Sequence, residues 1–257
     1  MTAVLVFIAV LYGLLIGSFL NVVIHRWPAG RSVVSPPSTC GSCGTRLTAV
    51  DLVPVASWVV LRGRCRHCSV PVSARYAVVE VTTAVAFGLT AWRLGWSWAL
   101  PAYLVLASFL VLLSFIDLDT FLLPRRLVYA AGTCGIASLT AAAFLDDEPQ
   151  RLVWAAIGAA GVLAAFFVIY TFARGGFGFG DVRLGAVLGW YLGWRGLAFA
   201  PVGIFLGFLL GSVVGVVLMV VGRAGRRTAV PFGPFLAGGA FLAIVAGRPF
   251  VDRMWPL

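Results

Sequence analysis

The sequence contains no lysine and only two histidines, and just 11% of its 257 residues are charged. The absence of lysine excludes mechanisms that need a lysine Schiff base or a Ser–Lys dyad. The two histidines, His25 and His67, do not form the H-E-x-x-H motif of zinc proteases. A soluble domain usually has about 25% charged residues, so this chain has too little polar surface to be covered by water.

Long apolar runs make up most of the chain, which is 61% hydrophobic with a mean hydropathy of +1.02. About eight runs approach the roughly 20 residues that cross a bilayer, and runs in hydrocarbon are expected to be helices. The first run, 1–24, has neither a preceding basic region nor a cleavage site, so we expect a retained span. The predicted spans are 2–24, 76–95, 98–116, 126–145, 151–172, 183–200, 201–221 and 230–247.

The basic residues, all of them arginines, are distributed unevenly between alternate connections. By the positive-inside rule the richer side is cytoplasmic, which places both termini outside. This pattern explains the net charge of +10 by membrane topology rather than by nucleic-acid binding. The predicted cytoplasmic arginines are Arg26, Arg31, Arg46, Arg62, Arg64, Arg66, Arg75, Arg125, Arg126, Arg174, Arg183, Arg223, Arg226 and Arg227. Those outside are Arg93, Arg151, Arg195, Arg248 and Arg253.

The only long polar segment, 25–75, contains two C-x-x-C motifs. Such a pair is typical of a tetrahedral zinc site, and four thiolates leave no open position for catalysis. The alternative is two disulfides, which a reducing cytoplasmic location disfavours. We interpret His67 as a bystander and Cys134, alone in an apolar run, as a small buried hydrophobe. The predicted zinc ligands are Cys40, Cys43, Cys65 and Cys68.

Asp181 ends the sequence Gly178-Phe179-Gly180-Asp181, just before a predicted span. The glycines allow other groups to approach the backbone closely. A catalytic acid is one interpretation of Asp181. A helix N-cap is the other, because aspartate is common at that position.

Asp117 and Asp119 end the otherwise apolar run 98–116, and Pro124 follows them. Ionisable residues at membrane depth are functional candidates, although pairing with Arg125 and Arg126 or simple exposure would also explain them. Two aspartates brought together share one proton, so one can activate water while the other protonates a peptide carbonyl. The sequence therefore predicts a pair of catalytic carboxylates, one from each segment.

The ordered set of motifs resembles the bifunctional prepilin leader peptidase/N-methyltransferase family, of the GxGD aspartyl protease class. The resemblance covers most of the chain. Arg183 replaces the usual lysine after Gly-Asp-Val, and Gly41 and Ala77 replace frequent prolines. The matching stretches are 17–26 (GSFLNVVIHR), 51–54 (DLVP), 61–65 (LRGRC), 73–76 (SARY) with Glu80, 117–124 (DLDTFLLP) and 180–184 (GDVRL).

The resemblance implies a substrate and two reactions. The substrate is a type IV prepilin or pseudopilin, cleaved after a glycine at the cytoplasmic membrane face; the new N-terminus is then methylated from S-adenosylmethionine. Asp117 and Asp181 match the catalytic pair, with Asp119, Gly178, Gly180, Arg183 and Pro124 in support. The methyltransferase candidates are Asn21, His25, Arg26, Asp51, Arg75 and Glu80. Asn21 could equally link two helices, and Glu80 could be buried against Arg75.

The fold class that we predict is an all-α polytopic membrane protein of about eight transmembrane helices with a small cytoplasmic zinc-ribbon-like insertion. The predicted divisions are a first transmembrane helix (1–24), a cytoplasmic zinc loop associated with methyl transfer (25–75) and a transmembrane protease bundle (76–257). A multispan transporter is the main competing interpretation, but we find no pair of similar halves with corresponding helix breaks. A non-enzymatic assembly factor that docks partners through the zinc loop is the second.

Overall fold

The computed structural model describes residues 1–173, 177–223, 225, 228 and 230–247. Within these ranges the chain forms nine helices and no strand. It divides into two compact units, Met1–Gly95 and Trp96–Leu257. The first unit contains α1 (Thr2–Arg26), α2 (Ala56–Val60) and α3 (Arg75–Leu94). The second contains α4 (Leu100–Thr120), α5 (Arg125–Leu145), α6 (Gln150–Phe172), α7 (Phe179–Arg195), α8 (Phe199–Val220) and α9 (Gly233–Ala246).

The all-α prediction is confirmed, and six described helices are long and apolar enough to cross a membrane: α1, α3, α4, α5, α6 and α8. The other two predicted spans correspond to shorter helices, α7 with 17 residues and α9 with 14. The predicted span 183–200 is displaced from α7, because Gly178 and Gly196 rather than hydropathy set the ends of that helix. The predicted membrane orientation stays a prediction, and five of its arginines lie outside the described residues: Arg174, Arg226, Arg227, Arg248 and Arg253.

Glycines bring α1 and α3 of the first unit into close antiparallel contact. A Cβ atom added at Gly17 would lie 2.7 Å from the Cα atom of Glu80, and one added at Gly13 would lie 2.6 Å from the Cα atom of Ala84. Gly13 and Gly17 form a G-x-x-x-G pattern, which lets two membrane helices pack backbone against backbone. The same contact sets the depth of Glu80 relative to α1.

The second unit is built around α4 and α7, the helices that carry the acidic residues. Tyr103 in α4 donates its hydroxyl proton to the carbonyl oxygen of Tyr191 in α7 at 2.7 Å, and both residues are buried. Gly189 and Gly193 of α7 pack against the backbone of α6 beside Gly158. These direct backbone contacts fix the position of α7, and with it the acidic residue in its first turn.

Candidate active site and metal centre

Asp117 lies in the last turns of α4 and is 5% exposed. The predicted span stops at residue 116, whereas the helix continues to Thr120, so the carboxylate is held by helical backbone. Its Oδ2 atom accepts a hydrogen bond from the backbone N–H of Gly233 at 2.9 Å. Asp117 is therefore buried against the first residue of α9 rather than exposed at the membrane surface.

Asp181 lies in the first turn of α7, whose N-cap is Gly178. The alternative interpretation of Asp181 as an N-cap is therefore wrong. Its carboxylate turns back over Gly178, where an added Cβ atom would lie 3.0 Å from Oδ2. The positive end of the helix dipole favours a negative charge at this position. The carboxylates of Asp117 and Asp181 also interact electrostatically, which indicates that the two predicted acids lie in the same region of the second unit.

The side chain of Leu123 connects the two acidic segments. A Cβ atom at Gly180 would lie 3.1 Å from the Cβ atom of Leu123, and one at Gly233 would lie 3.2 Å from its Cδ2 atom. Phe121 adopts a left-handed conformation (φ 55°) that ends α4, and Pro124 caps α5. The turn between α4 and α5 therefore places one apolar side chain against the first turns of both α7 and α9.

Asp119 and Arg183, which were also predicted to support the two catalytic carboxylates, each follow one of these acids by two residues. Asp119 is exposed near the end of α4. Arg183 is half-buried, and its guanidinium lies 4.5 Å from the centre of the Phe179 ring, a distance suited to a cation–π contact. Its position two residues after Asp181 places a fixed positive charge on the helix that carries this acid.

Gly233 and its aromatic neighbours are candidate site residues that were not predicted from the sequence. Phe232 precedes Gly233 and contacts the ring of Phe177, with 5.8 Å between the centroids, and the ring of Phe208 at 4.9 Å. Phe177 immediately precedes Gly178, so the aromatic contact joins the two segments beside the carboxylates. The available signal was the sequence Pro231-Phe232-Gly233-Pro234, in which glycine and proline are typical of the start of a helix.

The four predicted zinc ligands converge in the first unit. The Sγ atoms of Cys40, Cys43, Cys65 and Cys68 all lie within 4.8 Å of one another, and those of Cys40 and Cys68 are 3.8 Å apart. A tetrahedral site with Zn–S bonds of about 2.3 Å has sulfur atoms about 3.8 Å apart. All four residues are free thiols rather than disulfides. The geometry therefore fits one zinc ion, with His67 outside the cluster as predicted.

The two C-x-x-C motifs have the same backbone geometry. In the first motif, the carbonyl oxygen of Cys40 accepts a hydrogen bond from the N–H of Gly44. The N–H of Cys40 in turn donates to the carbonyl oxygen of Thr45. In the second, Cys65 makes the same pair of bonds with Ser69 and Val70. Gly44 and Ser69 both have positive φ angles, 70° and 58°. The insertion is thus formed from two matching turns, each of which presents two thiols to a common point.

The pKa values of the cysteine thiols show how the turns prepare the site. Bonds from backbone N–H groups lower the pKa of Cys40 and Cys65, and the Thr45 hydroxyl lowers that of Cys43. The Val70 N–H also favours the thiolate of Cys68, but burial and the neighbouring thiols outweigh it and raise its pKa to about 11. Cys134, predicted to be buried, is instead exposed on α5, since this surface of an apolar helix can face lipid.

The residues predicted to bind S-adenosylmethionine fall into two groups within the first unit. At the α1–α3 contact, the Asn21 amide donates to the carbonyl oxygen of Tyr76 at 3.0 Å, as a helix-linking residue would. Glu80 is buried and accepts the N–H of Val55 at 2.7 Å. Arg75 begins α3, one residue before Tyr76.

The second group consists of Asp51 in the polar loop and of His25 and Arg26 in the last turn of α1. Asp51 bonds to Arg66 at 2.7 Å, and the Thr48 hydroxyl together with this guanidinium holds the pKa of Asp51 below its usual range. Nearer the end of α1, His25 bonds to Arg31 at 3.0 Å, and Arg26 donates to the carbonyl oxygen of Ser32 at 3.1 Å. The described structure therefore ties each of these side chains into the loop or the helix contact.

The matches to known protein families agree with the division of the chain into two units. Residues 11–94 match the bacterial peptidase A24 N-terminal domain, and residues 104–220 match the type IV leader peptidase family. No solved structure matches the chain.

Several curated relatives carry the name prepilin leader peptidase/N-methyltransferase. One from Stutzerimonas stutzeri is 35% identical over 93% of this chain and 90% of its own length. One from Myxococcus xanthus is 42% identical over 87% of this chain and 66% of its own length. One from Pseudomonas aeruginosa is 34% identical over 93% of this chain and 89% of its own length. With six described helices able to span a bilayer, the chain fits a multi-pass protein of the inner membrane, and it belongs to the type IV leader peptidase family.

Proposed function

We propose that this protein is an aspartyl endopeptidase that removes the leader from type IV prepilins or pseudopilins, with Asp117 and Asp181 as its catalytic residues. The observation that supports the proposal is that these two carboxylates, from separate helices, lie close enough to interact electrostatically, beside the first turns of α7 and α9. Membership of the leader peptidase family supplies the reaction class. Two neighbouring carboxylates supply a complete mechanism for hydrolysis of a peptide bond.

In this mechanism the two aspartates share one proton. The ionised carboxylate takes a proton from water as the water oxygen attacks the carbonyl carbon, and the protonated partner gives its proton to the carbonyl oxygen. When the C–N bond breaks, the leaving nitrogen receives a proton from the pair. The N–H of Gly233 holds Asp117 in place throughout, so the geometry needs little reorganisation. No covalent intermediate forms.

Cleavage takes place at the cytoplasmic face of the membrane, where water reaches the pair. The arrangement of arginines supports an orientation with the zinc loop inside and both termini outside. A prepilin whose basic leader lies in the cytoplasm and whose apolar stem lies in the bilayer fits this site. Arg183 and Asp119 contribute charge near the pair, while Gly178, Gly180 and Pro124 shape the turns that present it.

We further propose that the first unit methylates the new N-terminus, as the names of the curated relatives suggest for those proteins. S-adenosylmethionine supplies the methyl group when it is bound. The carboxylates of Asp51 and Glu80 can accept hydrogen bonds from its hydroxyl and amino groups, and Asn21 and Arg75 can orient it. His25 and Arg26 complete the candidate set at the end of α1.

The zinc ion has a structural role in this proposal. The four cysteines would fill the tetrahedral sphere of a bound zinc ion, so no position would be left for water or substrate. A zinc ion held by these cysteines would join the two matching turns and thereby fix the loop between α1 and α3. Asp51 is tied to the second turn through Arg66, so the ion also sets the position of a methyltransferase candidate.

A processing assay tests the proposal. Purified protein in liposomes is mixed with a prepilin and S-adenosylmethionine, and the mass of the product N-terminus reports cleavage and methylation together. We expect a shortened, methylated product from the native protein and uncut substrate from an Asp117→Asn/Asp181→Asn double variant. Binding of the prepilin without cleavage would favour the assembly factor, and failure to bind it would favour the transporter.

A further inference from the structure

The polar loop of the first unit contains an apolar segment, the ten uncharged residues Leu52–Leu61 (LVPVASWVVL). Asp51 precedes this segment and Arg62 follows it, so charged residues bound the segment on both sides. It includes the short helix α2. An apolar run of about ten residues is too short to span a bilayer, and its length is typical of a buried helix or of a re-entrant or interfacial segment.

The hydrogen bond between Val55 and Glu80 fixes the depth of the segment. The N–H of Val55 donates to Oε2 of Glu80 at 2.7 Å. Glu80 lies opposite Gly17, where an added Cβ atom would be 2.7 Å from the Cα atom of Glu80. Gly17 precedes the end of α1 at Arg26 by roughly nine residues, or about 14 Å of helix. Glu80 also follows the start of α3 at Arg75 by five residues, or about 8 Å of helix, so the N–H of Val55 reaches inside the end of the apolar α1–α3 pair.

Several backbone N–H groups of the segment are paired within the segment or by Glu80, as a membrane environment favours. The N–H groups of Ser57, Val59 and Leu61 bond to carbonyl oxygens within the segment, at 3.1, 2.9 and 3.0 Å. The N–H of Val55, at the N-cap of α2, instead bonds to the Glu80 carboxylate. Val55 has a φ angle of 59°, a conformation that β-branched residues rarely adopt, so this bond also holds a strained turn in place.

The outer surface of the segment is apolar. Val59 is 59% exposed and Val60 is 77% exposed. At the level of Gly17, α1 itself exposes Leu15 and Phe19, as a helix surrounded by lipid does. The side chain of Trp58 anchors the other side of the segment by donating to the carbonyl oxygen of Val72 at 3.1 Å.

From depth, backbone bonding and exposure together, we propose that Leu52–Leu61 is a re-entrant segment whose valines contact the acyl chains of the bilayer. Arg62 and Arg64, which are exposed, then lie at the level of the headgroups, where anionic lipids attract arginine. Glu80 is the acceptor that allows the turn at Val55 to enter this environment. The zinc loop is thus anchored to the membrane surface at a third place, besides α1 and α3.

A photo-crosslinking experiment tests the proposal. The full chain is prepared with p-benzoylphenylalanine in place of Val60, or of Val34 as a control that is 86% exposed. Each protein is irradiated in liposomes of phosphatidylethanolamine and phosphatidylglycerol, and its intact mass is measured. We expect the substitution at Val60 to give a lipid adduct as its main product and the substitution at Val34 to give none. No adduct at Val60, or a crosslink to this chain or a second copy, would overturn the proposal.

The role of Glu80 is tested in the same assay. Glu80→Gln keeps a carbonyl oxygen that can accept the N–H of Val55, so the lipid adduct at position 60 is expected to persist. Glu80→Leu removes the acceptor, and we expect the adduct to be lost while the zinc content is unchanged. An undiminished adduct in Glu80→Leu would contradict the part assigned to this carboxylate.

Discussion

Gly233 donates its backbone N–H to the Oδ2 atom of Asp117 at 2.9 Å, although 116 positions separate the two residues along the chain. The bond connects the start of α9 with the end of α4. A Cβ atom at position 233 would lie 2.7 Å from the same oxygen. A side chain at position 233 would therefore force the Asp117 carboxylate to shift, and the bond makes α9 a third element of the candidate site.

Replacing Gly233 with alanine is expected to lower the rate of prepilin cleavage by about 100-fold or more. The new methyl group displaces the Asp117 carboxylate, and small displacements in an active site have effects of this size. Single-turnover cleavage followed by mass spectrometry measures the change. Gly215→Ala on α8 is the matched control, because nothing lies within 4 Å of its added Cβ atom. Equal rates for the two variants would refute the positioning role of Gly233.

The zinc site is tested by removing one ligand. Cys65→Ser is expected to lose bound zinc, because Cys65 is the most buried of the four thiols and a hydroxyl is a poor substitute for thiolate. Elemental analysis of the purified protein gives the metal content directly. Cys134→Ser, outside the cluster, should retain one zinc per chain. A native protein without zinc, or disulfides found by thiol counting, would disprove the assignment.

The affinity of the loop for zinc should fall as the pH falls. The raised pKa of Cys68, about 11, means that its thiol is protonated at neutral pH when the metal is absent. Zinc binding must displace that proton, so the affinity falls about tenfold per pH unit for each proton released. The stability that zinc gives to the loop is therefore lost on acidification and retained at higher pH. Competition with a chromogenic chelator from pH 8 to 6 measures this slope, and a flat profile would contradict it.

The packing of α6 against α7 depends on Gly189. A Cβ atom at this position would lie 2.9 Å from the Cα atom of Ala159, against backbone that cannot move aside. We expect Gly189→Ala to destabilise the protein by about 1–3 kcal/mol, which is typical of overpacking. Thermal unfolding in detergent gives the comparison with Gly161→Ala, whose added Cβ atom meets nothing within 4 Å. A smaller loss for Gly189→Ala than for Gly161→Ala would be inconsistent with this packing.

The cysteines of the candidate zinc site and the two candidate acids could be selected from the sequence because their chemistry is local. A C-x-x-C motif specifies its own turn, as the matching bonds around Cys40 and Cys65 show. Asp117 and Asp181 are conspicuous because few acids interrupt the apolar runs. Hydropathy nevertheless misplaced the ends of their helices, since α4 and α7 include polar residues that a membrane scale assigns to loops.

Gly233 and Leu123 could not be predicted, because their roles depend on tertiary packing. The donor at position 233 is a backbone N–H, which every residue except proline possesses. Only the packing of α9 against α4 shows that this particular group bonds to Asp117. Leu123 is one leucine among many in an apolar sequence, and its contacts with Gly180 and Gly233 appear only once the helices are assembled.

The central claim is that Asp117 and Asp181 act together on one water molecule. The most direct measurement is single-turnover cleavage of a prepilin in H₂¹⁸O by the native protein, Asp117→Asn, Asp181→Asn and Asp119→Asn. We expect each of the first two variants to lose at least about 1,000-fold in rate, Asp119→Asn to stay close to native, and one ¹⁸O to appear in the new carboxyl group of the leader. Full-rate cleavage by either Asp117→Asn or Asp181→Asn would contradict the claim.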